Sequence, residues 1–220
     1  MARRARQVQI DPDALEHYAK ALPVEELRDL PLSVEGPEDL EPEETAAFIL
    51  VLDAVNFGSG YFPHLRKRPG LSGYRTIEES VREWWRRSGR LSPERLRAAD
   101  APFCADVFGQ SLADEAIREL MQLFAEAWHQ LGGLLGARHD DDPIGPIRAA
   151  QGSASRLVEE LCRMPFFLDV SRYGEMQVPF LKRAQISVHD LALTVPGPLG
   201  EFEDLDRLTI FADNLVPHVL

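Results

Sequence analysis

The sequence predicts a mainly α-helical fold. Three observations carry this. Apolar residues recur at three- and four-residue spacing in several segments, helix-start signals precede them, and no run of alternating β-branched residues is present. With 220 residues, 45% of them hydrophobic and 27% charged, the chain lies in the ordinary globular range and can bury a sizeable core. No internal repeat or low-complexity tract divides it, so one helical domain over residues 1–220 is expected.

The elements follow in order. A first helix runs from Asp11 to Leu22, with Asp11 or Asp13 at its cap and Leu15, Tyr18, Ala19 and Leu22 on one face. Pro31 to Glu44 is acidic and proline-bearing and reads as a loop. Glu44 to Phe57 is strongly apolar, and its length favours a buried helix over a strand. Gly58 to Gly73 is a loop rich in glycine, aromatics and cations. Thr76 and Glu79 have the spacing of a capping box that opens a helix through Trp84 and Trp85. Ser92-Pro93-Glu94 starts another, with proline at its favoured first position.

Ser111 to about Leu131 is the clearest helix, with Ile117, Leu120, Met121, Phe124, Ala127, Trp128 and Leu131 forming an apolar stripe. Gly132-Gly133 ends or loosens it. Arg138 to Gly145 is a polar loop, and Ser153 to Met164 is helical. Ser171 to Val178 is short and fits two strands turning at Tyr173-Gly174. A helix with Pro179 at its start runs to about Leu193. Pro196 to Glu203 is a loop, and Asp204 to Phe211 a last short helix.

The formal net charge is −12, from 24 Lys and Arg against 36 Asp and Glu. Direct nucleic-acid binding is therefore disfavoured, because such affinity comes from neutralising phosphates. No apolar run reaches membrane-span length and no apolar signal core follows the basic N-terminus, so the expected location is the cytoplasm. Cys104 and Cys162 stand alone among apolar neighbours, which predicts free thiols and a reducing compartment.

Several segments have residues suited to chemistry. Asp140-Asp141-Asp142 offers oxygen ligands but lacks calcium-loop spacing, and no two of the six histidines form a helical metal pair, so neither a metal nor a cofactor is expected. The stretch Asn56 to Pro63 combines glycines, which admit a ligand close to the backbone, with Phe57, Tyr61 and Phe62, which can stack on a flat base. Arg66, Lys67 and Arg68 follow. The same features suit an aromatic plug with a solvated basic turn. In Phe180 to Leu191, Lys182, Ile186 and Asp190 recur every fourth residue, and Arg183 is nearly in line with Asp190, so this is either an ion-pair network or a site. His189 and His218 flank the C-terminal segment. Asp213 follows the apolar run Leu208 to Ala212, where a desolvated carboxylate would stabilise a developing cation or merely cap the chain.

Lys182-Arg183-Ala184-Gln185-Ile186 with Asp190-Leu191, followed by Leu208-Thr209-Ile210-Phe211-Ala212-Asp213 and Val216-Pro217, resembles the queuosine salvage family of queuosine 5′-phosphate N-glycosidases. Leu52 to Phe57 and Ser72-Gly73-Tyr74 extend the resemblance back to about Glu44. It implies a hydrolase that releases queuine for tRNA modification from a small-molecule substrate, on a fold similar to the helical DNA glycosylases. It also implies Asp213 as the active-site carboxylate and Phe211 as a wall of the base pocket. Asp190, Lys182, Asn56, Phe57 and Tyr61 are the further candidate binding residues, and Lys182, then Arg66 and Lys67, the candidate phosphate ligands. A nucleosidase for another modified purine nucleotide, or a helical binding module without catalysis, are the alternatives.

This sequence departs from the family in two places. The family's base-contacting histidine has no counterpart between His17 and His64, where the chain is acidic (Glu35, Glu38, Asp39, Glu41). Family members also continue past the Val-Pro motif, so the resemblance implies a chain that is truncated, naturally short, or a fragment that needs a partner.

Overall fold

The computed structural model describes residues 9–28 and 40–213. Most of the acidic loop expected from Pro31, including Glu35, Glu38 and Asp39, lies outside the described residues. So do Val216, Pro217 and His218. The fold class is the expected one: helices, with one two-stranded sheet among the described residues. The chain divides into two units, residues 1–33 and 34–220.

The first unit holds α1 (Pro12–Ala21) and α2 (Val24–Arg28). Asp11 caps α1, accepting hydrogen bonds from the backbone N–H groups of Asp13 and Ala14.

The second unit is built around α3 (Pro42–Ala54) and α7 (Glu115–Arg138). Every residue of α3 from Thr45 to Ala54 is buried, as a helix apolar on all sides requires. Trp128 of α7, fully buried, donates its indole N–H to Val51 O of α3 at 3.1 Å. Around this pair lie α4 (Gly73–Ser88), α5 (Pro93–Arg97) and α6 (Ala101–Phe108). Next come α8 (Gly145–Ala150), α9 (Ala154–Leu161), the hairpin β1 (Val170–Tyr173) and β2 (Met176–Pro179), and α10 (Lys182–Thr194), which packs on α3 and α9.

Several boundaries differ from the expectation, each for a local reason. The cap of α4 is Ser72, whose hydroxyl accepts from Arg75 N. Thr76 lies inside the first turn and spends its hydroxyl on Arg68 N instead. Asp114 rather than Ser111 caps α7. Gly132-Gly133 does not end that helix. A Cβ on Gly132 would stand 2.7 Å from Pro93 O and 2.8 Å from Arg97 N, so this glycine lets α5 press against α7. Pro179 closes β2, and α10 begins three residues later, after Leu181 adopts a left-handed conformation at φ 51°. The helices α6 and α8 were not expected, although Asp100-Ala101-Pro102 before α6 and Gly109 after it are start and stop signals. Asp141 and Asp142 of the acidic loop are taken up by Arg97 and Arg148.

The C-terminal stretch is stapled to the core by Asp204. Its carboxylate accepts from Ala154 N at 2.6 Å, Ser155 N at 3.2 Å and Ser153 Oγ at 3.2 Å, capping α9 from fifty residues away in sequence. These bonds, that of Ser155 first, hold its carboxyl down at about 2, below the ordinary 3.8. A depressed acid contributes stability above its unfolded value and loses it as pH falls through the folded one. Asp204→Asn should therefore lower the thermal midpoint at pH 7. The gap to the parent should close as pH falls from 3.8 to about 2, as followed by circular dichroism melts.

Candidate active site

The site is built on one face of α10. Asp169 sets the start of that helix: its carbonyl accepts from Phe180 N and Leu181 N, and its carboxylate from Lys182 N at 3.2 Å. Lys182, Gln185 and His189 then stand at i, i+3 and i+7, a spacing that stacks side chains on one face.

The segment Thr209–Asp213 lies against all three. Gln185 Oε1 accepts from Thr209 N at 2.7 Å and Thr209 Oγ1 at 3.1 Å, while its Nε2 is anchored to Phe180 O. The Phe211 ring meets the His189 ring edge-on, with centroids 5.5 Å apart and planes at 83°. The Lys182 ammonium is bonded to Asp213 Oδ2. The two side chains remain 29% and 26% exposed, so this pair is anchored yet open to a ligand. A groove of about 450 Å³ lies between His189 and the stretch Leu205 to Phe211.

The short helix expected from Asp204 to Phe211 is only a single 3-10 turn, Leu205–Arg207. Asp204 is committed to α9, and Gln185 takes the Thr209 N–H that a continuing helix would direct at Leu205 O. The chain thereby leaves the helical path, so that Phe211 reaches His189 and Asp213 reaches Lys182.

Asp190 does not share the Lys182 face. It is buried on the α3 side of α10, beside Asp53. Burial, and then the nearby Asp190 charge, push the Asp53 carboxyl well above its ordinary range. Ser187, Asn56 and Arg183 pull the other way, but Ser187 spends its hydroxyl on Arg183 O, and among the described residues neither oxygen of Asp53 has a hydrogen-bond partner. The buried Tyr74 hydroxyl, which has no partner among the described residues either, is raised by burial and by Asp53.

The Asp53 carboxyl is thus biased toward its neutral form in the fold relative to the unfolded chain. Such a group stabilises fully below the unfolded value and loses its contribution as pH rises toward the folded one. Asp53→Asn removes the titration, so its thermal midpoint should gain on the parent's as pH rises above 3.8. A difference that does not change with pH would contradict this bias.

Arg183 does not pair with Asp190 either. It donates to Phe166 O at 2.7 Å and Ala54 O at 2.6 Å, binding α10 to the end of α3, and its guanidinium lies 4.3 Å from the centroid of Phe57. Burial lowers its pKa to about 10. Phe57 stacks on Phe166 and meets Phe124 edge-on, so it packs into the core as a platform for Arg183. Asn56 stands beside Asp53. Tyr61 lies in the 3-10 turn Ser59–Tyr61 with its hydroxyl turned to Glu119 of α7, and among the described residues no contact joins it to Thr209–Asp213. Arg66 and Lys67 are exposed on a loop clamped by Gln110, which exchanges hydrogen bonds with the Arg66 backbone.

A family model described as queuosine salvage protein matches residues 37–220. The chain belongs to the queuosine salvage protein family. A relative from Sphaerobacter thermophilus, named queuosine 5′-phosphate N-glycosylase/hydrolase, is 33% identical over 226 residues, which cover 99% of this chain and 68% of the relative. Relatives of the same name are 29% identical in Dictyostelium discoideum, over 86% of this chain and 56% of theirs, and 33% identical in Schizosaccharomyces pombe, over 56% and 37%. The chain thus spans about two thirds of the length of the bacterial relative and less of the other two. Within this queuosine salvage fold, the structure brings Lys182, Phe211 and Asp213 together. It buries Asp190 on the α3 side of α10 and leaves Asn56 and Phe57 half-buried, Phe57 against the core.

Three residues of the site were not singled out from the sequence for the roles they take: Gln185, Asp53 and His189. Asp53 had a signal, since it is an acid inside the apolar run Leu50 to Val55. Gln185 had a weaker one, a polar residue on an otherwise buried helix turn. The His189 contact depends on how Thr209–Asp213 crosses α10, which no local pattern encodes.

Proposed function

We propose that this chain hydrolyses the N-glycosidic bond of queuosine 5′-phosphate, releasing queuine and ribose 5-phosphate. The observation that carries this reading is Asp213. Its carboxylate is held by Lys182, is partly exposed, and stands two residues from Phe211, which lines a groove. The relatives' name gives the substrate.

The chemistry matches such a carboxylate. As the bond from C1′ to the base nitrogen breaks, its electron pair leaves with the base and positive charge builds on the sugar. A fixed carboxylate beside C1′ stabilises that charge, and water then adds its hydroxyl to C1′ while its proton balances the base. A 7-deazaguanine has carbon in place of N7, so protonation there does not assist departure. The demand on Asp213 is correspondingly larger. Lys182 balances the charge of Asp213 in the resting site and retains further N–H donors for an anionic group of the substrate. No described helix is long and apolar enough to cross a membrane.

A substrate panel tests this. The protein is incubated with queuosine 5′-phosphate, queuosine, and ordinary purine nucleotides, and free base is measured by chromatography. The reading predicts release from queuosine 5′-phosphate above all others. Equal release from guanosine phosphate would move the activity to a general nucleosidase, and binding without release would leave only a ligand-binding module.

A further inference from the structure

We propose that His189 is a base-binding residue, whose imidazole holds the heterocycle of the substrate in the groove beside Phe211. This deepens the hydrolase reading and rests on it for the identity of the ligand.

Four observations converge on His189. Its side chain is 42% exposed, although it stands on a helix whose neighbouring residues Val188 and Asp190 are buried. It forms one wall of the groove, opposite Leu205 to Phe211. Its ring is set at 83° to Phe211, so the two make a corner in which a flat heterocycle stacked on one ring presents its edge to the other. Its Nδ1 is turned toward Asp190 Oδ1 at 3.7 Å, and among the described residues no hydrogen bond occupies Nε2. An imidazole with one nitrogen facing a buried carboxylate has its other nitrogen directed away from it, which here is the open side.

The distances suit one nucleotide. Lys182 and His189 are seven residues apart on one helix face, which is about 10 Å along the axis. Asp213 is bonded to Lys182 and lies two residues from Phe211, so a sugar placed at Asp213 puts its base within reach of Phe211 and of the His189 ring that Phe211 meets. Leu205, Leu208 and Ile210 supply apolar contact for the ring. The acidic members near the imidazole are Asp190 behind it and Asp206 at the groove's rim. A base with amino and hydroxyl donors is compatible with that setting, and a second anion is not.

The test separates base binding from catalysis. Queuine and ribose 5-phosphate are titrated separately into the full chain, into His189→Ala and into His189→Gln by calorimetry, and base release from queuosine 5′-phosphate is measured for all three. His189→Ala should weaken queuine by about tenfold or more and leave ribose 5-phosphate within about twofold. It should raise KM far more than it lowers kcat, and His189→Gln, which keeps a donor and an acceptor near Nε2, should recover most of the loss. Thermal midpoints of both variants should match the parent, since the side chain is half-exposed and alanine favours the helix. Queuine affinity unchanged within about twofold in His189→Ala would overturn the proposal, as would a parent that does not bind queuine. A parent that binds queuine through His189 yet releases no base from queuosine 5′-phosphate would overturn the hydrolase reading and leave the base site standing.

Discussion

Asp213→Asn is expected to lower kcat for base release by at least about 10²-fold, with a much smaller change in KM. The substitution keeps the shape of the side chain and its reach to Lys182 but removes the negative charge. Charge matters here because the sugar becomes cationic only as the bond breaks, so the lost interaction belongs to the transition state. An amide in its place also meets Lys182 with a neutral oxygen, which leaves the ammonium's charge unbalanced in a site that is only about a quarter exposed. The thermal midpoint should change little, because the pair is not fully buried and such ion pairs contribute modestly to stability. Single-turnover kinetics with queuosine 5′-phosphate check the prediction.

Arg183→Ala is expected to destabilise the fold by about 3 kcal/mol or more, measured by urea unfolding. The guanidinium satisfies two backbone carbonyls, Ala54 O at the end of α3 and Phe166 O. It also lies against Phe57, Phe166 and Phe167, at 4.3, 5.4 and 4.9 Å from their ring centroids. Truncation leaves both carbonyls without that donor and opens space among three aromatic rings. Arg183→Lys should recover little, since one ammonium cannot reproduce a planar fork that bonds two carbonyls and stacks on a ring. Because Lys182 is the neighbouring residue and α10 is tied to α3 through Arg183, activity should fall with stability in this variant. That coupling distinguishes it from Asp213→Asn.

The mainly helical class was legible because the strongest signal, the apolar stripe of α7, is also deeply buried, with Leu120, Met121, Phe124 and Trp128 fully enclosed. Capping chemistry was read correctly where one candidate stood alone, as at Ser92. It was misread where two competed. Ser72 and Thr76 are four residues apart, and only the tertiary contact with Arg68 decides which hydroxyl is free to cap. Gly132 reads as a helix end from sequence because its real partner, the backbone of α5, is distant in the chain.

The site was legible in part. Phe211 and Asp213, singled out by motif resemblance, and Lys182, singled out by helical spacing, lie close together, with Lys182 bonded to Asp213. Their arrangement was not legible. Fourfold spacing placed Lys182 and Asp190 on one face, but eight residues accumulate about 80° of rotation. That turn is enough to send Asp190 into the core toward Asp53 while Lys182 faces Asp213. Gln185 settles the path of Thr209–Asp213 through two hydrogen bonds, and nothing in the sequence of that segment anticipates them.

The most direct test of the central claim is a comparison of the parent and Asp213→Asn, each with queuosine 5′-phosphate, under conditions where both are shown to be folded. Queuine and ribose 5-phosphate are quantified together. The account predicts equal amounts of the two products from the parent and almost none from the variant. Base release undiminished in Asp213→Asn would show that the bond is broken without this carboxylate and would contradict the account.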